Sequence, residues 1–224
     1  MSLLLDTSGA GLHKRGYRPV ANGAPIKETI AAAFCNIARL RHFHTLYDPM
    51  CGSGTIAIEG ALKACNIAPG VNRNFSCERW DIISPRVFAE ERERAKSLEN
   101  RDCEFKCFAS DIDENVLEIA KKNAENAGVL DKIVFEKKDI RNFEKLTDRG
   151  TVIVNPPYGE RLLDIEQANE LYRIMGEKFE PMIGWSYYII SPSDEFENMY
   201  SRKADKRRKI YNGMIKCQLY MYFK

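Results

Sequence analysis

The alternation of short apolar runs with longer amphipathic runs constrains the fold of this chain more than any other feature of its sequence. Runs rich in β-branched and aromatic residues predict strands that end at Tyr47 or cover 103–113, 132–140, 152–154, 185–191 and a final pair around the Tyr211–Gly213 turn. Apolar residues at helical spacing predict helices at 26–40, 55–68, from about Pro85, at 114–128 and at 166–180. Because strands that alternate with helices join through crossover connections, we predict an α/β fold with a mostly parallel seven-stranded sheet and helices on both faces.

The length and composition fit one globular domain. A single α/β core commonly reaches 224 residues. Apolar residues make up 44% of the chain and charged residues 29%, which excludes a disordered or fibrous protein. The 34 basic and 32 acidic residues leave a net charge of only +2. Any binding of nucleic acid must therefore come from local clusters of basic residues.

The seven cysteines form an odd set without a C-x-x-C pair, so they give little support to a zinc site or a disulfide framework. Free thiols fit the reducing cytosol. The opening "MSLLL" is too short for a secretory segment, and no apolar run approaches the length of a membrane span. We therefore expect a cytoplasmic protein with no metal and no membrane partner.

The sequence "NPPY" directly follows the apolar strand at 152–154. Pro156 and Pro157 end that strand, remove two backbone donors and force extended backbone on the residues before them. The carbonyl oxygens and the amide of Asn155 then point outward from a stiff corner beside Tyr158. This arrangement indicates a binding site, although two consecutive prolines usually mean only a rigid loop.

Ligands of an open parallel sheet bind beyond the carboxyl ends of its strands, where three further polar corners are predicted. In "DPMCGSGT", residues 48–55, small residues let the backbone approach a ligand, and the next helix offers free N–H groups to a carboxylate or phosphate. Asp111 could accept both hydroxyls of a ribose, and Asp139 a hydrogen of an adenine amine. Each corner alone has a simpler explanation as a connection or a helix cap. Together they indicate a nucleoside with a carboxylate tail, for which S-adenosylmethionine is the clearest candidate.

Several motifs resemble those of one enzyme group. "DPMCGSG", "SDID", "KKDI" and "NPPYG" are similar to motifs of Rossmann-like S-adenosylmethionine-dependent methyltransferases that modify exocyclic amines. "DTSGAGLHKRGYRP" and "APIKETIAAAF" resemble the segment before the catalytic domain of large-subunit ribosomal RNA guanine 2-amino methyltransferases, a THUMP-associated family. "NIAPGVNRNFSCERW" and "YNGMIKCQLYMY" are also similar to that family, so the resemblance covers nearly the whole chain.

This resemblance implies an enzyme that methylates the 2-amino group of guanine in 23S ribosomal RNA, with S-adenosylmethionine as cofactor. It implies a catalytic domain at 26–224, preceded at 1–25 by an extension or a linker from an RNA-binding THUMP domain expected in the full-length protein. The predicted catalytic residues are Asn155, Pro156, Pro157 and Tyr158. The predicted cofactor-binding residues are Thr29, Asp48, Pro49, Met50, Cys51, Gly52, Ser53, Gly54, Asp111, Ile112, Asp139 and Ile140.

A mechanism follows from the weakness of the nucleophile, because the lone pair of a purine amine is delocalised into the ring. We hypothesise that the Asn155 side-chain oxygen and the Pro156 carbonyl accept the two amine hydrogens and so stabilise the positive charge that develops during methyl transfer. The base must be unpaired or flipped, and Tyr158 would stack on it, a contact worth roughly 1–3 kcal/mol.

Other substrates are compatible with "NPPY", namely tRNA guanine, DNA adenine and protein glutamine. An alternative of another class is a non-catalytic module for RNA binding or ribosome assembly. The outward amide beside two prolines argues against that alternative, since an inactive module does not need it.

Two clusters of basic residues are candidates for contact with RNA phosphates. The first basic cluster is "HKRGYR", residues 13–18, and the second basic cluster is "RKADKRRK", residues 202–209, with Tyr211 as a further stacking surface. A run of charges is usually only a solvated face, and contact is favoured more for the first cluster than for the second. The predicted substrate-binding residues are His13, Lys14, Arg15, Tyr17, Arg18 and Arg161.

The stretch between Asp48 and Asp111 is longer than one strand–helix–strand unit requires, which predicts an insertion at roughly 66–85. Its aromatic and basic residues could line a substrate entrance or pack at the edge of the sheet. Packing is the favoured interpretation, because large aromatic side chains are more often buried than used in recognition. The residues concerned are Arg73, Phe75, Arg79 and Trp80.

Overall fold

The structure is a computed structural model that describes residues 2–18, 26–158 and 165–223. Within these ranges seven strands form one sheet in the order β3-β2-β1-β4-β5-β7-β6. The strands are β1 (Thr45–Asp48), β2 (Lys106–Asp111), β3 (Ile133–Lys137), β4 (Gly150–Val154), β5 (Trp185–Ser191), β6 (Lys206–Asn212) and β7 (Ile215–Phe223).

The predicted helices are present, with shorter bounds at several ends. The helix predicted at 26–40 covers ten residues only, and its buried residues include Ala31, Phe34 and Cys35. Single-sequence periodicity does not locate helix ends well, because caps and neighbouring elements fix them. The helices are α1 (Glu28–Ile37), α2 (Thr55–Ala64), α3 (Pro85–Ser97), α4 (Glu114–Asn126), α5 (Ile165–Lys178) and α6 (Phe196–Met199).

The sheet is mostly parallel and ends in an antiparallel hairpin. The pairs β3–β2, β2–β1, β1–β4 and β4–β5 are parallel, whereas β7 is antiparallel to both β5 and β6. Two reversals restore the direction, so β6 runs the same way as β1 to β5. The turn between β6 and β7 therefore lies at the edge where the parallel strands end.

Helices cover both faces of the sheet, as predicted. On one face, Phe34 of α1, Ile58 of α2 and Leu117 of α4 share a core with Leu46 of β1. On the other face, α5 and α6 pack Tyr172 and Phe196 into a second core. Alternate residues of β5 belong to the two cores, which is expected of a central strand buried on both sides.

The predicted insertion packs against the amino-terminal segment. Arg73 is buried, lies over the Phe75 ring with 4.9 Å between the guanidinium carbon and the ring centroid, and donates to the carbonyl oxygens of Gly11 at 3.2 Å and Ser8 at 3.4 Å. This supports the packing interpretation for Arg73 and Phe75. Arg79 is exposed and Trp80 is partly exposed. The chain then continues into α3, which has no buried residue.

None of the helices in the described ranges is both long enough and apolar enough to cross a lipid bilayer.

Candidate active site

The four predicted corners lie side by side along one edge of the sheet. Asp139 follows β3, Asp111 ends β2, Asp48 ends β1 and Asn155 follows β4, and these four strands are consecutive neighbours. Adjacent strands are about 4.8 Å apart, so the row from Asp139 to Asn155 spans about 14 Å. That distance suits one extended nucleoside with a short tail. The order of the strands reverses between β1 and β4, the position at which open α/β sheets bind ligands.

Hydrogen bonds join the turn after β1 to the end of β2. The Cys51 N–H donates to the Ser110 carbonyl at 2.9 Å, and the Gly52 N–H donates to Asp111 Oδ2 at 3.0 Å. Gly52 and Gly54 have φ angles of 52° and 81°, which glycine adopts without the penalty other residues incur. A Cβ atom on Gly52 would meet no atom within 4 Å, so the turn borders open space in which a ligand fits.

Asn123 of α4 was not predicted as part of the site. It is 2% exposed, and its side-chain N–H donates to the Ser53 carbonyl at 3.0 Å. This hydrogen bond fixes the glycine turn to α4. Ala120, one turn earlier, lies against Gly54, where an added Cβ would be 3.1 Å from the Ala120 Cβ. The signal was present in the sequence, since Asn123 is a polar residue on the buried face of an amphipathic helix.

Asp48 is fully buried, and neither of its oxygens has a hydrogen-bond partner among the described residues. Burial, and then the charge of Asp111, raise the pKa of the Asp48 carboxyl well above its usual range, an effect that the nearby amides of Ala57 and Met50 offset only in part. A buried acid without a partner is costly, so this position favours a donor or a cation supplied by a ligand.

Asp111 keeps capacity to bind further donors. Its Oδ2 accepts from Gly52, and its Oδ1 accepts from the Asp113 N–H at 3.1 Å. A carboxylate has about four acceptor positions, which leaves room for two hydroxyl donors. Ile112 is 66% exposed beside it, and its apolar side chain is free to cover a flat ring.

Asp139 and Ile140 line a cleft together with Pro49 and Ser110, beside the ends of β2 and β3. Asp139 also performs the simpler role considered for it. Its Oδ1 caps a short 3-10 helix by accepting from the Arg141 N–H at 2.8 Å, and its Oδ2 pairs with the Arg141 guanidinium at 2.9 Å. Its role in ligand binding stays a prediction.

Asn155 and Tyr158 differ in how their polar atoms are used. Asn155 Oδ1 is buried and has no hydrogen-bond partner among the described residues. The Tyr158 hydroxyl accepts from the Asn212 side chain at 2.7 Å, while its ring packs against the core. Burial raises the pKa of Tyr158, so the phenol stays neutral. Pro156 is buried and Pro157 partly exposed between them.

Three residues of the first basic cluster, Arg15, Tyr17 and Arg18, are directed into the protein and do not form an open surface. Arg15 and Tyr17 both bond to the buried Glu59 of α2, with the Tyr17 hydroxyl 3.0 Å from Glu59 Oε1. Arg18 pairs with Glu28 at 2.9 Å and donates to the Thr55 hydroxyl at 2.9 Å. Tyr17 is 5% exposed and cannot stack on a base in this position.

Arg18 lies close to predicted cofactor-binding residues. It bridges Glu28 and Thr55 and so joins the first turns of α1 and α2. Thr29 and Gly54, which are predicted to bind the cofactor, are the neighbours of Glu28 and Thr55 in the sequence. Lys14 is exposed and His13 is partly exposed. Arg161 lies outside the described residues, so its predicted role is not addressed by the structure.

Comparison with known proteins gives the family. The model of the RMKL-like methyltransferase domain matches residues 15–221. A Bacillus subtilis protein named as a candidate RNA methyltransferase, YpsC, is 45% identical over 221 residues, which is 99% of this chain and 57% of that protein. The ribosomal RNA large subunit methyltransferase K/L of a Shewanella species is 40% identical over 229 residues, 99% of this chain and 32% of that protein. The chain thus spans between about a third and just over half of the length of these relatives.

Two solved structures share the fold closely. One, from Listeria monocytogenes, is described as a predicted N6-adenine-specific DNA methylase. It superposes with a TM-score of 0.90 at 46% identity and covers 97% of this chain and 56% of that one. The other is a candidate methyltransferase complexed with S-adenosylhomocysteine, with a TM-score of 0.89 at 40% identity, and covers 97% of this chain and 57% of that one.

Proposed function

The chain belongs to the family of RMKL-like methyltransferase domains, and from this membership we propose that it methylates an exocyclic amine of an RNA base, with S-adenosylmethionine as the methyl donor. The finer proposal is that the acceptor is the 2-amino group of guanine in large-subunit ribosomal RNA. The name of the Shewanella relative supports the ribosomal substrate. The observation that carries the chemistry is the buried Oδ1 of Asn155, which has no hydrogen-bond partner in the part of the chain that the structure describes and follows the strand next to β1.

The residues along the sheet edge suit the cofactor. The turn at 51–54 and the N–H groups at the start of α2 would hold its carboxylate, Asp111 its ribose hydroxyls, and the cleft at Asp139 and Ile140 its adenine. Asp48 offers a buried acceptor for its positively charged end. When bound, this cofactor supplies an electrophilic methyl group on a sulfonium.

Asn155 activates the acceptor amine by binding its hydrogens. The Oδ1 atom and the Pro156 carbonyl oxygen each accept a hydrogen bond from one N–H group of the amine. These two hydrogen bonds draw the nitrogen lone pair out of conjugation with the ring. These interactions strengthen as positive charge develops on the nitrogen, so they stabilise the transition state more than the bound substrate. The pair of prolines keeps both acceptors fixed, which avoids reorganisation during the reaction.

Tyr158 orients the base. An exocyclic amine inside a duplex cannot reach Asn155, so the target nucleotide must be unpaired or flipped out. The Tyr158 ring, fixed at its hydroxyl by Asn212, then stacks on the flat base. The neutral phenol adds no charge to repel a phosphate.

The experiment that tests the activity compares methyl transfer from labelled S-adenosylmethionine to bacterial 23S ribosomal RNA transcripts, to tRNA, to DNA and to protein. We expect label in RNA, and 2-methylguanosine after digestion and mass spectrometry. Label in DNA adenine would instead favour the function in the description of the Listeria structure. Binding of S-adenosylmethionine without transfer to any polymer would favour the non-catalytic module.

The variant Asn155→Ala tests the role of the corner. Loss of one preorganised partner of the developing charge is expected to lower kcat by about 10²–10³-fold while cofactor affinity stays close to wild type. Asn100→Ala is the matched control, since Asn100 is exposed and precedes β2 at the opposite end of the sheet. Wild-type turnover in Asn155→Ala would remove Asn155 from the mechanism.

We also propose that residues 26–224 form the catalytic domain and that residues 1–25 are an extension or a linker. The linker would join the catalytic domain to a THUMP domain of the full-length protein. Residues 15–18 pack on α1 and α2, so the amino-terminal extension contributes to the stability of the catalytic domain.

A further inference from the structure

The β6–β7 hairpin extends beyond the rest of the sheet on the side of the active site. The last residue of β5, Ser191, pairs with Gln218 of β7, and Gln218 pairs with Lys209 of β6. Residues 210–217, called here the overhanging hairpin, therefore have no β5 partner. Three residue pairs at about 3.4 Å per residue extend it by about 10 Å.

The overhanging hairpin reaches the catalytic corner directly. Its Asn212 donates to the Tyr158 hydroxyl at 2.7 Å, and the Cys217 thiol lies 3.8 Å from the same oxygen. The turn is tight, with Gly213 at φ 63°, as expected of a two-residue hairpin loop that needs glycine at its first position. Tyr158 is thus clamped by an element that is far from it in sequence.

Basic residues lie on the same face of β6 as Asn212. Side chains alternate along a strand, so Lys206, Arg208, Ile210 and Asn212 share one face, and Ile210 packs against the core that also contacts Tyr158. Lys206 and Arg208 are exposed and have no acidic partner among the described residues. Their charges are therefore available to an anionic ligand.

The opposite face of β6 is used differently. Arg207 forms an ion pair with Glu197 of α6, and Lys209 lies over the Tyr211 ring, 5.2 Å from its centroid. Arg202 is also engaged, since it stacks between Tyr200 and Tyr222. The second basic cluster is therefore divided, and the free cations of β6 face the side of Tyr158.

We propose that the RNA strand flanking the target nucleotide binds along Lys206 and Arg208 of β6, and that Asn212 is a positioning residue that sets the Tyr158 ring for the target base. This inference rests on the proposed function, because it assigns the substrate path of the same site. Single-stranded RNA fits the surface, since it pairs phosphates with a row of cations and bases with aromatic rings. The same hairpin thereby carries both the docking surface for the strand and the residue that aligns the Tyr158 ring.

The docking role of Lys206 and Arg208 and the positioning role of Asn212 predict different kinetic effects. Arg208→Glu is expected to raise the KM for RNA about tenfold and leave kcat at saturating RNA near wild type, since phosphate contacts contribute mainly to affinity. Lys209→Glu, the adjacent residue on the opposite face, is the matched control and should raise KM much less. Equal effects of the two variants would overturn the assignment of the strand to this face.

The positioning role is tested by Asn212→Ala, Tyr158→Phe and the double variant, with 23S ribosomal RNA transcripts as substrate. Loss of one hydrogen bond is expected to lower kcat about fivefold in each single variant, and the double variant should be no slower than either. A wild-type kcat in Asn212→Ala, or effects that multiply in the double variant, would overturn it. Calorimetric titration with S-adenosylhomocysteine verifies that each variant is folded.

A measurement of RNA binding distinguishes a failure of this inference from a failure of the proposed function. Fluorescence anisotropy with a labelled 20-nucleotide single-stranded RNA needs no turnover. If wild type methylates no RNA but Arg208→Glu loses affinity and Lys209→Glu does not, the proposed function fails and the binding path stands. If wild type is active and both variants bind equally, the binding path fails and the proposed function stands.

Discussion

The two basic clusters are both rich in lysine and arginine, but their side chains have different surroundings in the structure. In the first, Arg15 and Arg18 are paired with the buried carboxylates of Glu59 and Glu28. In the second, Lys206 and Arg208 are exposed on an edge strand, and residues 2–18, 26–158 and 165–223 give them no acidic partner. The first cluster therefore holds the amino-terminal segment on α1 and α2, and the second offers charge to a ligand. Basic residues predict nucleic-acid binding only where no carboxylate of the same chain neutralises them.

The comparison is tested most strongly by Glu59→Ala. Removal of this carboxylate leaves Arg15 largely buried without a counter-charge and Tyr17 without its acceptor. Breaking a buried ion pair in this way is expected to lower the free energy of unfolding by about 3–5 kcal/mol in urea denaturation. Arg208→Ala is the control from the second cluster and should change it by less than about 0.5 kcal/mol. Equal stability of the two variants would contradict the structural role of the first cluster.

A smaller effect is expected on the dependence of RNA affinity on salt, and here a variant of the second cluster should change more than a variant of the first. If Lys206 and Arg208 each contact a phosphate, Lys206→Ala/Arg208→Ala lowers the slope of log affinity against log salt by about 1.4, or about 0.7 for each contact. Lys14→Ala, from the exposed part of the first cluster, is expected to leave the slope unchanged. The measurement is anisotropy over a series of salt concentrations. A loss of slope of about 0.7 in Lys14→Ala, with no loss in the double variant, would return RNA binding to the first cluster.

The smallest expected effect is on the pH dependence of stability. Burial raises the pKa of Glu59 above its ordinary value of 4.5, although Arg15 and Tyr17 lower it in part. Between the unfolded and folded pKa the native state binds more protons, so this group lowers stability as pH rises through that window. Glu59→Gln removes the titration. We therefore expect urea midpoints of wild type to fall relative to Glu59→Gln as pH increases above 4.5, and a constant difference would contradict the assignment.

The sequence was sufficient for the seven strands and the five longer helices, although not for all their ends, and for the order of the corners. The strand 185–191 was predicted with its observed bounds, because a run of aromatic and β-branched residues is bounded by turn residues on both sides. The four corners at Asp48, Asp111, Asp139 and Asn155 fall on one edge because parallel strands end together. Local pattern and topology are enough for both results.

The hydrogen-bond partners of individual side chains could not be predicted from the sequence. Tyr17 and Glu59 are 42 positions apart, and Tyr158 and Asn212 are 54 apart, so no local pattern relates them. Whether an arginine is buried or exposed depends on which carboxylate the fold brings to it. For that reason the sequence favoured the first cluster as the RNA surface, whereas the geometry favours the second.

We propose that the edge of the sheet beyond β1 and β4 brings the methyl donor to the base amine. The most direct test is a crystal structure of the chain with S-adenosylhomocysteine. We predict that the adenosine lies along Asp111 and Asp139, with the sulfur beside Asn155. A ligand bound away from the glycine turn, with its sulfur remote from Asn155, would show that this edge is not the active site.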